Sequence, residues 1–184
     1  MIIKPTNLDI KTSNILELNT RFNTLGIWFT STDDYSVYAT YGNYDPFTDN
    51  INIQVPQNAD LTTLNSVVSH ELIHKEQNRK SKNRYSNWLI SYGKELNKKI
   101  KHYNLIPNVS KTANLLGEIH YMNYVMKYSN SQELMAYAYQ FVATKDLFDI
   151  TTIDELFKYV RENTQIPVNN TFKSYANQYW ELNK

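Results

Sequence analysis

His70, Glu71 and His74 stand together in the run Ser66-Val67-Val68-Ser69-His70-Glu71-Leu72-Ile73-His74. Histidines four residues apart on a helix lie one turn above each other, so both imidazoles can reach one point while the glutamate between them projects beside it. Two imidazole ligands for Zn²⁺ and a carboxylate beside the bound water are the parts of a metal-assisted hydrolysis, with Glu71 as general base.

On a helical wheel with His70 at the origin, Leu61, Leu64, Val68 and Leu72 fall between about 120° and 200°, and the two histidines between about 0° and 40°. Core histidines would share the apolar stripe. These stand off it, beside Ser66 and Gln77, as ligands facing a second element would.

A catalytic zinc takes three protein ligands and keeps a fourth position open. The chain has no cysteine, so the third ligand is His, Glu or Asp, and residues 75–84 contain neither a histidine nor a glycine that would place a ligand close by. A distant helix must supply it. Glu133 in Ser131–Ala143 is the best candidate: Leu134, Ala138, Phe141 and Val142 form an apolar stripe, and small Ala136 lets another helix approach. Asn130 and Glu133 also have the spacing of a capping box. The competing ligands are Glu118 and His120, the latter completing a three-histidine site. His102, after Lys98-Lys99-Ile100-Lys101, reads as a solvated surface residue.

The elements that must position these residues follow from periodicity and punctuation. Strands are expected at 26–30, 36–41 and 50–55, the last two alternating, with turn chemistry in Gly42-Asn43-Tyr44-Asp45-Pro46. Thr12 or Ser13 caps a first helix running to about residue 23, and Asp60 caps the motif helix. Helices are expected at about 84–103, 112–128, 131–145, 152–163 and 171–182, with breaks at Pro107, Asn130, 146–149 and Pro167. The predicted class is α+β: a small N-terminal sheet of about three strands on the motif helix, then a mostly helical C-terminal half, in one domain over residues 1–184.

The HELIH run, followed by a helix with Glu133-x-x-Ala136, resembles the gluzincin group of zinc metallopeptidases, and in particular its small single-domain members and similar short proteins predicted in phage genomes. The resemblance implies a zincin-like fold, His70, His74 and Glu133 as zinc ligands, Glu71 as base and then acid, and a peptide or protein substrate. It also implies that the last strand before the motif helix, with Ile51, Ile53 and Val55, lies at a sheet edge where an extended peptide pairs. A donor to the tetrahedral oxyanion would come from Tyr121, Tyr124, Tyr128, Tyr137 or His120. The chain departs from the family at Lys75-Glu76, where many members carry a small or apolar residue, and at Tyr137, where several have an aspartate that orients a ligating histidine. The competing reading is a non-catalytic protein of the same fold, acting as a zinc-stabilised structural or interaction module.

A net charge of +1 excludes a broadly basic nucleic-acid-binding surface, and the 15 tyrosines are spread through every element, as packing residues are. There is no apolar run long enough to cross a bilayer, and the first residues lack a signal peptide's basic and apolar regions. The expectation is a cytoplasmic protein with no membrane or nucleic-acid partner. Abundant Asn, Lys, Ile and Tyr suit an AT-rich genome such as that of a bacterial virus.

Overall fold

The computed structural model describes residues 2–5, 8–33, 40–80, 84–104 and 130–184. Helix α1 spans Ile15–Phe22, and strands β1, β2 and β3 span Ile27–Thr32, Tyr41–Asp45 and Asn50–Pro56. Helices α2 (Leu61–Lys80), α3 (Arg84–Asn104), α4 (Ser131–Ala143), α5 (Ile153–Asn163) and α6 (Asn170–Leu182) follow. The class is mixed α and β, with a three-stranded sheet and a helical C-terminal half. No helix among the described residues is long and apolar enough to cross a membrane.

The sheet order is β1-β3-β2, with β3 parallel to β1 and antiparallel to β2. This corrects the expected edge. The strand preceding the motif helix is central, and among the described residues β2 is the edge beside α2. Alternation of Ile51, Ile53 and Val55 reports one buried face, which central and edge strands share.

The second strand is also displaced. Residues 36–39 of the expected strand lie outside the described residues, and β2 occupies the stretch read as a turn. Pairing of Tyr41–Asp45 with Asn50–Gln54 outweighs the turn propensity of Gly42, Asn43 and Asp45. The reversal is moved to 46–49, where the Asp45 carboxylate accepts from the Phe47 N–H and the Thr48 hydroxyl, each at 2.8 Å. Asp49 completes it with φ 58°.

Helix starts follow side-chain chemistry. Asp60 accepts from the Thr63 N–H at 2.9 Å, as expected for the cap of α2. For α1 the cap is Asn14 rather than Thr12 or Ser13: its Oδ1 accepts from the Glu17 N–H, while Thr12 Oγ1 accepts from the Asn14 N–H. Asparagine caps as well as serine, so three adjacent residues were competent. The expected helices at 84–103, 131–145, 152–163 and 171–182 are present with ends shifted by two residues or fewer, whereas 112–128 lies outside the described residues.

Helix α2 joins two buried clusters. Its Leu64, Val68 and Leu72 pack with Ile27, Phe29, Ile51 and Ile53 of the sheet, as the apolar stripe required, although Leu61 is exposed at the helix start. Ile73, on another face, joins Leu134, Ala138, Leu156, Val160 and Phe172 in the helical core. Burying each such aliphatic side chain stabilises the fold by about 1.5–3 kcal/mol. The histidine face therefore lies at the seam, against α4.

Candidate metal centre

At that seam His70, His74 and Glu133 converge, the one group of three His, Cys, Asp or Glu among the described residues whose geometry suits an ion. The two histidine Nε2 atoms are 3.1 Å apart, and each lies 3.3 Å from Glu133 Oε2. Tetrahedral zinc with bonds of about 2.0–2.2 Å separates its ligand atoms by about 3.3–3.6 Å. The triangle is close to one face of such a tetrahedron, and the described residues supply these three ligand atoms to it.

Glu133 reaches the histidines because α4 packs against α2, and Ala136, one turn further along α4, is fully buried. The Asn130 alternative is realised in part: its side chain accepts from the N–H groups of Gln132 and Glu133, capping α4, while the Glu133 carboxylate serves the histidines. Asn130 caps without occupying Glu133.

Two glutamines fix which ring nitrogens face the centre. Gln77 Nε2 donates to the Gln132 carbonyl at 2.9 Å, and because that carbonyl only accepts, the amide must turn Oε1 toward His74 Nδ1, 2.9 Å away. His74 therefore carries its proton on Nδ1 and offers the Nε2 lone pair. A second relay starts at the Thr63 carbonyl, which accepts from Ser66 Oγ. The hydroxyl in turn accepts from Gln140 Nε2, leaving Gln140 Oε1 for His70 Nδ1 at 3.2 Å. Two lone pairs and a carboxylate oxygen thus face one another, an arrangement that requires a cation, whether proton or metal ion, among them.

The electrostatics agree. Burial pulls the His74 pKa down, but the charge and hydrogen bond of Glu133, with help from Glu71 and Gln77, raise it to about 9. Burial alone would raise Glu133, yet the two histidines hold it well below the usual carboxylate range. All three ligand candidates and Glu71 are buried, His74 to 2 % exposure.

Glu71 lies on the β2 side of the motif, where its Oε2 accepts from the Tyr44 N–H at 2.9 Å. Tyr137, at the place of the orienting aspartate, sets its ring against His70 with centroids 4.5 Å apart, and Gln140 does the orienting instead. Lys75 serves the structure: its ammonium donates to the carbonyls of Leu25 and Asp49 and pairs with the Asp49 carboxylate. Glu118, His120, Tyr121, Tyr124 and Tyr128 lie outside the described residues, as does the side chain of His102.

Sequence reasoning found the three ligand candidates and Glu71 but missed Gln140 and the β2 backbone. Gln140 follows Glu133 by seven residues, two helical turns along the same face, a signal readable once α4 is set against α2. Gln77 is legible on the histidine face, though its part in holding His74 is not. No family model matches the chain, and no curated protein or solved structure shows significant similarity to it.

Proposed function

We propose that the chain is a zinc-dependent metallopeptidase of the gluzincin kind, with His70, His74 and Glu133 as ligands and Glu71 as general base and acid. The observation that carries this reading is the convergence of two histidine Nε2 atoms and a carboxylate oxygen, 3.1–3.3 Å apart, one helical position from a further buried glutamate. Nitrogen and carboxylate donors without thiolate suit zinc. A zinc ion supplies Lewis acidity toward a carbonyl and lowers the pKa of a water toward neutrality.

The chain's own residues supply the rest. Gln77 and Gln140 hold the imidazoles in register, and Glu71 accepts the proton of the attacking water and returns it to the leaving amine. The glutamate between the two histidines, the residue that would transfer the proton, favours hydrolysis over a structural zinc site, which would be closed by a fourth protein ligand. Tyr137 is the one oxyanion candidate among the described residues.

The test is elemental analysis of protein purified without a metal-chelating tag, followed by hydrolysis of unfolded protein substrates. We expect near-stoichiometric zinc, lost in Glu133→Ala and kept in His120→Ala. Glu71→Gln should keep the metal and lose activity by about 10²–10⁴-fold. Wild-type protein that takes up no zinc on reconstitution would overturn the proposal.

A further inference from the structure

We infer that strand β2 is the positioning device for Glu71, through the backbone N–H of Tyr44 and the missing side chain of Gly42. The functional meaning of this clamp rests on the hydrolase reading; the geometry does not.

Ile51 sends its N–H toward β1, where the Gly26 carbonyl accepts it at 2.7 Å. A strand residue directs its N–H and C=O to the same side, so Ile51 has no ladder bond for its β2 partner, Tyr44. The Tyr44 N–H therefore points to the outer edge, and there it meets Glu71 Oε2 at 2.9 Å. One carboxylate oxygen is held by the sheet, and Oε1 remains to take a proton.

Gly42, two residues earlier, faces the same way. A Cβ built there would stand 2.7 Å from Glu71 Cγ and 2.7 Å from Val67 Cγ1, and 3.0 Å from Glu71 Oε1. Val67 is β-branched and fixed on the helix, so the clash cannot be relieved at a flexible tip. Either the Glu71 side chain turns away or β2 lifts from α2, and both separate Tyr44 from Glu71. The Tyr44 ring, buried with its hydroxyl donating to Asp49 Oδ1 and accepting from Asn78, holds the strand at this height.

The clamp also bears on substrate approach. The outward N–H of Tyr44 is engaged by Glu71, so an extended chain adding to β2 would find that donor occupied.

The experiment is amide NMR and hydrogen exchange on the zinc-reconstituted full chain, read at Tyr44. In wild type the Tyr44 amide should be shifted downfield and protected. Glu71→Ala should speed its exchange by about tenfold or more, the factor carried by a hydrogen bond to a charged acceptor. Glu71→Asp, one methylene shorter, should do the same if the alanine variant does not fold. Gly42→Ala should expose Tyr44 likewise while keeping one zinc per chain, with kcat falling and KM little changed. Adding Val67→Ala to Gly42→Ala relieves only the valine contact and should not restore protection. A Tyr44 amide indifferent to Glu71 substitution overturns the clamp, and protection restored in that double variant overturns the part assigned to Gly42. A protected Tyr44 amide in a zinc-loaded protein that hydrolyses nothing supports the clamp and overturns the peptidase reading alone.

Discussion

Gln77 Oε1 accepts from His74 Nδ1 at 2.9 Å while the nitrogen of the same amide donates to the backbone of α4 at Gln132. One side chain thus sets a ring tautomer on α2 and ties that helix to the one carrying Glu133. Imidazole orientation and helix docking share a residue.

Replacing Gln77 or Gln140 with leucine frees the ring it orients and removes the acceptor for Nδ1–H. Zinc affinity should weaken by about 10–100-fold for each. Competition with a chromophoric chelator measures this, and unchanged affinity in both variants would mean that the glutamines do not orient the rings.

Stripped of metal, the protein should show a pH window set by His74 and Glu133. Glu133 is depressed when folded, so its contribution is present above its ordinary value of 4.5 and lost as pH falls through the folded value. His74 is raised, so its contribution is full below 6.5 and lost as pH rises through about 9. Both are present between 4.5 and 6.5. Zinc competes with protons for the histidines, so its stabilisation grows with pH. Melting curves with chelator and with zinc should therefore diverge from about pH 6 toward about pH 8; parallel curves would contradict the assignment.

Lys75→Met keeps the alkyl stem and removes the ammonium that joins α2 to the Leu25 and Asp49 carbonyls. Its side chain is only 12 % exposed, which lifts this contact above the ordinary surface ion pair. The expected loss is about 1–3 kcal/mol, and each kcal/mol lowers Tm by about 2–4 °C at this size. A Tm equal to wild type would show the lysine to be dispensable.

Asp149 closes the 3-10 turn Lys145–Phe148 with φ 52° and ψ 31°, the left-handed region. It is exposed, so Asp149→Gly sacrifices no buried contact and relieves a Cβ strain. Denaturant melts should show a gain of a few tenths to about 1 kcal/mol. A destabilised variant would mean that the aspartate side chain contributes more than the strain costs.

Much of this architecture was legible because local chemistry carried it. His70, His74 and the stripe of Leu64, Val68 and Leu72 share one helix, so a helical period suffices to separate their faces. Glu133 was legible from a second helix with its own stripe and a small residue at the contact. The order of the strands was not. Whether Ile53 pairs on one side or two depends on Phe29 and Gly42, which flank it through topology that no local period encodes. Gly42 itself reads as a turn former, since its role is the space it leaves for Glu71, a residue of a different element far along the chain.

Helix α2 belongs to both cores, and the candidate ligands sit where those cores meet. Neither half of the molecule can open without pulling His70 and His74 away from Glu133 or releasing the sheet that seats their helix. Were an ion held there, parting of the two clusters would release it, so its escape would be coupled to the breathing of the fold.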